Sequence, residues 1–126
     1  NLELLGGFGR DQVGMKLLKN YYKVDGVMST DSTKLGMAKR CGLLTIQRFF
    51  FVDSRAFDTS QRILESANVD AAEMLPAASV IDLMPELRHV SKIPMFAGGF
   101  IKSIDMIDRI RDAGFSGITI SKKAFW

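Results

Sequence analysis

Two short segments near the end of this 126-residue chain combine residue types suited to holding an oxyanion. Ala97-Gly98-Gly99-Phe100 carries a glycine pair, which lets backbone amides approach an anion with no Cβ in the way. Thr119-Ile120-Ser121-Lys122-Lys123 adds two hydroxyls and two cations further on. A glycine pair alone marks a tight turn as readily as an anion site. This one follows an apolar run, precedes a segment that Ser103 can cap, and lies one unit upstream of Thr119–Lys122, a context that points to phosphate. A lone carboxylate, Glu73, sits inside the apolar run Ala71-Ala72-Glu73-Met74-Leu75. Unpaired it would be costly there, so it must face an open mouth or pair with a cation such as Arg48. A structural ion pair and a ligand contact are both compatible with that position.

The elements that must carry these residues follow a regular beat. Short apolar, β-branched or aromatic runs fall at Val24–Met28, Leu43–Val52, Val69–Leu75, Ile93–Ala97 and Gly117–Ile120, and their scarce alternation predicts parallel strands buried on both faces. Amphipathic stretches separate them. Val13, Leu17, Leu18 and Tyr21 share one helical face; Phe57, Ser60, Ile63, Leu64 and Ala67 another; Ile104, Ile107 and Ile110 a third. Gly42 and Gly114 fall where helix C-caps belong, and Pro85 suits the start of a helix over Pro85–Val90. A beat of roughly two dozen residues is one βα unit, and the fold class predicted is α/β of the (β/α)8 TIM-barrel type. In such barrels phosphate is held by the loops after the last two strands, so the runs before Gly98-Gly99 and Thr119 become strands seven and eight. Counting back makes Leu2–Leu5 the tail of strand three. Residues 1–126 are then expected to form one domain, the C-terminal portion of a barrel, lacking the first two and a half units, on the order of 60 residues.

Active sites of these barrels lie at the C-terminal ends of strands. The polar residues expected there are Glu3, Ser29, Thr30, Asp31, Gln47, Arg48, Asp53, Glu73, Lys102, Thr119, Ser121 and Lys122. His89 falls at the opposite end and reads as a surface residue. Cys41 reads as a small apolar filler, and Phe49-Phe50-Phe51 as packing, because three consecutive strand residues cannot share one face. Hydrophobic residues make up 47% and charged residues 25%, which excludes disorder. No apolar run approaches the ~18 residues of a membrane span. One cysteine cannot form an internal disulfide and fits a reducing, cytoplasmic location. A net charge of +3 suits an anionic ligand or RNA without forming a dense basic arm. P-loop, nucleophile elbow and His/Cys metal spacing are all missing from the sequence, so neither metal nor cofactor is expected.

Three blocks together resemble a known family: Ile46-Gln47-Arg48-Phe49-Phe50-Phe51-Val52-Asp53-Ser54, Glu73-Met74-Leu75-Pro76, and Ile93-Pro94-Met95-Phe96-Ala97-Gly98-Gly99-Phe100-Ile101-Lys102. With Asp25–Thr30 and the closing Ser121–Trp126, they are colinear with the glycerol uptake operon antiterminator regulatory proteins over essentially the whole chain. The resemblance implies a TIM barrel and a regulator, not an enzyme, that responds to glycerol-3-phosphate and acts on leader mRNA of glycerol-utilisation genes. It implies that Gly98, Gly99, Phe100, Thr119 and Ser121 hold the phosphate, with Lys102 as a supporting cation. Ser29, Thr30, Gln47, Arg48 and Glu73 would line the mouth and read glycerol hydroxyls, and Glu3 would stand where the family carries an aspartate. Asp31, Ala77 and Lys122 depart from the arginine, glycine and asparagine that the pattern leads one to expect. Two other readings stand beside this one. One is a barrel enzyme acting on a small phosphorylated metabolite, with Glu73 as base and Lys102 or Arg48 as electrostatic stabiliser; the other is a phosphometabolite-binding paralogue without RNA function. An oligomer is compatible with all three.

Overall fold

A computed structural model of the chain describes residues 1–125. Strands β1 (Gly26–Ser29), β2 (Leu44–Phe50), β3 (Ala71–Leu75), β4 (Met95–Gly98) and β5 (Gly117–Thr119) run parallel in chain order. Helices alternate with them: α1 (Gln12–Asn20), α2 (Ser32–Arg40), α3 (Ser54–Ser66), the short α4 (Ala77–Val80), α5 (Met84–Val90) and α6 (Ile104–Asp112). The predicted βα alternation is therefore present, with each strand running within a few residues of its apolar run. The N-terminal segment differs. Leu2–Leu4 is a 3-10 turn rather than the tail of a strand, because the Asn1 side chain accepts from Glu3 N while Leu4 N and Leu5 N bond back to the carbonyls of Asn1 and Leu2.

Helix ends follow local chemistry. Asp11, Asp31, Asp53 and Ser103 cap α1, α2, α3 and α6 by accepting backbone N–H bonds in the first turn. Gly42 and Gly114 take left-handed φ values of 79° and 91° after α2 and α6. At each, the chain folds back so that Leu43 N reaches the Ala38 carbonyl and Phe115 N the Ile110 carbonyl.

The chain divides into two compact units. The first comprises Asn1–Arg48 with Asn68–Ala71, and the second Phe49–Ala67 with the chain from Ala72 on. The first has a core of Leu2, Met15, Leu18, Val27, Leu35, Ala38 and Leu43. The core of the second is built from β3, β4 and the faces of α3, α5 and α6, with Met74, Ala77, Val80, Leu87, Met95, Ala97 and Ile110 at its centre. The expectation that every strand is buried on both faces fails for β2. Thr45, Gln47 and Phe49 are buried, whereas Leu44 and Phe50, on the other face, are 60% and 51% exposed. Side chains alternate along a strand, and here one row is buried while the other is only partly covered, with Ile46 and Arg48 half-buried between its exposed ends. That alternation also separates Phe50 from buried Phe49 and Phe51, so the three aromatics do not form one platform.

Asp70, just before β3, ties the start of the first unit's sheet. Its carboxylate accepts from Thr45 N (2.8 Å), Thr45 Oγ1 (2.9 Å) and Lys39 Nζ (3.1 Å). Burial alone would raise this carboxyl, but the hydrogen bonds from Thr45 and Lys39 outweigh it and hold the pKa below the ordinary aspartate value. A carboxyl depressed in the folded state stabilises the fold above its unfolded pKa of about 3.9 and loses that contribution as pH falls through the folded value. Urea titrations from about pH 7 to about pH 3 are therefore expected to show the wild type losing stability more steeply than Asp70→Asn below about pH 4; parallel losses would refute the tie.

Candidate functional site

In the second unit, three of the expected residues meet. β4 and β5 are in register with Gly98 beside Thr119, and β3 places Glu73 beside Phe96. Glu73 is 2% exposed, and Thr119 Oγ1 donates to its Oε1 at 2.5 Å. The carboxylate embedded in an apolar strand thus has a hydroxyl donor on the neighbouring sheet edge. Gly98 is glycine for a geometric reason. A Cβ at this position would lie 2.1 Å from Thr119 Oγ1, 3.1 Å from Leu75 Cδ2 and 3.4 Å from Glu73 Oε1. The hydroxyl lies across the bare Cα.

The chain then leaves β4 through two successive left-handed residues, Gly99 (φ 78°) and Phe100 (φ 57°). Glycine takes that conformation freely, whereas a phenylalanine is held in it at a cost of order 1–3 kcal/mol. The Phe100 ring is 76% exposed, while the next residue, Ile101, is buried in the core and anchors the turn. Ser103 Oγ accepts from Met106 N and starts α6 directly afterwards. Lys102 and Ser121 are exposed, and Lys122 Nζ lies 4.7 Å from the centre of the Phe125 ring.

In the first unit a separate polar cluster surrounds Glu3. Its Oε1 accepts from Ser29 Oγ (2.5 Å), Thr30 N (2.9 Å) and Thr30 Oγ1 (3.3 Å), while Oε2 is buried with no hydrogen-bond partner among the described residues. Burial alone would raise the Glu3 carboxyl, but the donors on Ser29 and Thr30 prevail and lower it. Gln47 is 1% exposed; its Nε2 donates to the Thr30 carbonyl and its Oε1 accepts from Ser32 Oγ, both at 2.9 Å. Ser29 is likewise buried, and its Oγ also accepts from Asp31 N. Ser29 and Gln47 therefore fasten the β1–α2 loop, and Thr30 is the exposed member of this group. Arg48 is half-buried on β2.

Asp31 stands where the family resemblance implies an arginine. It is the N-cap of α2, accepting from Thr33 N and Lys34 N, and its carboxylate forms a 2.9 Å ion pair with Lys34. The Lys34 side chain is the main cause of its lowered pKa. An Asp-Ser-Thr run at a helix start already carried the capping signal. Asp70 had no rim signal to find, since it precedes its strand and serves stability. Among the described residues, no three His, Cys, Asp or Glu side chains group as a metal site. No helix among them is long and apolar enough to cross a membrane.

A family model described as "Glycerol-3-phosphate responsive antiterminator" matches residues 1–126. The chain is 25% identical to the uncharacterized protein YgcP of Escherichia coli K12, over all of this chain and 65% of that protein. It therefore spans slightly less than two thirds of this curated relative's length. The crystal structure of the glycerol uptake operon antiterminator regulatory protein from Listeria monocytogenes superposes with a TM-score of 0.83 at 28% identity, over 98% of this chain and 66% of that one. A glycerol uptake operon antiterminator-related protein from Thermotoga maritima gives 0.82 at 23% identity, over 100% and 70% of the two chains. N-acetylneuraminate lyase from Mycoplasma synoviae gives 0.62 at 14% identity, over 89% and 49%, a likeness of fold alone. The α/β, TIM-barrel-like class expected from the strand beat is thereby shown.

The contact at Gly98 makes a direct prediction. Gly98→Ala is expected to cost about 1–3 kcal/mol in chemical denaturation through overpacking. In a Thr119→Ala background the penalty should shrink, because the atom that meets the new methyl is gone. Equal penalties in the two backgrounds would show that the hydroxyl does not occupy that space.

Proposed function

Because the chain belongs to the glycerol-3-phosphate responsive antiterminator family, we propose that it binds glycerol-3-phosphate and governs antitermination at leader RNA of glycerol-utilisation genes. The family match along all of residues 1–126 carries this reading. The arrangement of the second unit supports it: a glycine-paired turn leads straight into a capped helix, beside a strand end bearing a hydroxyl. In this proposal the phosphate lies against the Gly98-Gly99-Phe100 turn, whose backbone can come close to an anion, with exposed donors in Lys102, two residues on, and Ser121, two residues past the end of β5. In the first unit, Ser29 and Gln47 hold the loop that presents Thr30.

The family description is regulatory, which favours a switch over turnover. Ligand binding would order the turn after β4 and bias an RNA-competent state, by as much as the ligand's affinity differs between the two states. The proposal entails a cytoplasmic protein.

Titration calorimetry is expected to show binding of glycerol-3-phosphate, weakened a few-fold by Lys102→Ala as an exposed cation should be. In gel-shift assays, leader RNA should bind in a ligand-dependent way, with affinity falling as salt rises because Lys and Arg contacts release counterions. Ligand binding with no RNA shift would leave a phosphometabolite-binding protein; turnover of glycerol-3-phosphate would favour the enzyme.

A further inference from the structure

We infer that Thr119 reads a hydroxyl of the ligand, as an acceptor held in that state by Glu73, and is not a ligand of the phosphate. The inference deepens the phosphomonoester reading above and rests on it. A threonine hydroxyl has one hydrogen and two lone pairs. Here the hydrogen is committed to Glu73 Oε1 at 2.5 Å, so Thr119 Oγ1 offers a ligand only its lone pairs. A phosphomonoester near neutral pH is mostly a dianion and presents acceptor oxygens. Its oxygens would meet an acceptor backed by a buried carboxylate, two groups with no hydrogen to share. An alcohol O–H is the complementary partner, because it can donate to Oγ1 without disturbing the bond to Glu73.

The position of the oxygen fits this role. Oγ1 lies over the bare Cα of Gly98, where a methyl would approach within 2.1 Å, and Thr119 itself is half-buried at the sheet edge. It therefore adjoins the residue that opens the Gly99–Phe100 turn. Phosphate at the turn and a carbon-borne hydroxyl at Thr119 divide a phosphorylated polyol between two chemistries. The pair would thus distinguish a polyol phosphate from a phosphate lacking hydroxyls.

Calorimetry on the full chain, with glycerol-3-phosphate, n-propyl phosphate and inorganic phosphate, tests the division. The wild type is expected to prefer glycerol-3-phosphate to n-propyl phosphate by about tenfold, one buried hydrogen bond's worth. Thr119→Val should remove most of that preference by weakening the polyol phosphate, with n-propyl phosphate and inorganic phosphate changed by less than about twofold, and Thr119→Ser should restore it. Thr119→Ala gives the same readout with less steric demand, should the valine unfold the sheet edge. Equal weakening of all three ligands would mean that Thr119 donates to phosphate and overturns the inference. A wild type that binds both organic phosphates alike overturns it too, while leaving the phosphomonoester reading intact. Failure of the wild type to bind any of the three overturns both.

Discussion

A carboxylate buried in an apolar parallel strand must be met by a donor, and the second unit is arranged around that requirement. Glu73 finds its donor on Thr119, two strands away in the order of the sheet. That bond ties the end of β5 to β3 across β4, and the hydroxyl in turn leaves no room for a side chain at Gly98. The glycine pair thus combines two different necessities. Gly98 is bare because a neighbour fills its Cβ position, and Gly99 because the backbone turns left-handed there. In sequence the two look alike.

The first unit solves a similar problem by other means. Glu3 Oε1 accepts from Ser29 and Thr30, and Gln47 bridges Thr30 and Ser32, so the loop between β1 and α2 is held by side chains as well as by its backbone. Buried polar groups satisfied in this way fix one conformation, because moving any member strands another. At the opposite strand ends, Asp70 does the same for the start of the sheet. Asp11, Asp31 and Asp53 thus serve as caps, and Glu3, Asp70 and Glu73 as ties. This explains how Asp31, an acid in a region expected to favour a cation, has a structural purpose.

The βα alternation was legible because buried parallel strands leave apolar runs, and because Gly42, Gly114 and the four polar N-caps punctuate the helices. Glu73 stood out for the same reason, as a charge inside such a run. What the sequence could not convey was direction. Ser29 ends β1 and Gln47 lies in the middle of β2, yet side chains alternate across a sheet, and these two fall on the covered row. A single-sequence reading gives no registration between strands, so the Glu73–Thr119 pairing, 46 residues apart in the chain, had no local signature. Leu2–Leu5 read as strand from composition alone, where one asparagine side chain closes a turn instead.

The aromatic pairing at the end of α1 has an optical consequence. The chain has two tyrosines, Tyr21 and Tyr22, stacked edge-to-face at 5.1 Å, with Phe8 at 6.1 Å from the second. All three belong to the first compact unit, and the second contains no tyrosine. Phenolic ellipticity and emission therefore report on one half of the polypeptide only. A spectroscopist following them through a melt would be watching the α1 corner, and a second probe would be needed to learn whether the glycine-paired turn lets go at the same temperature.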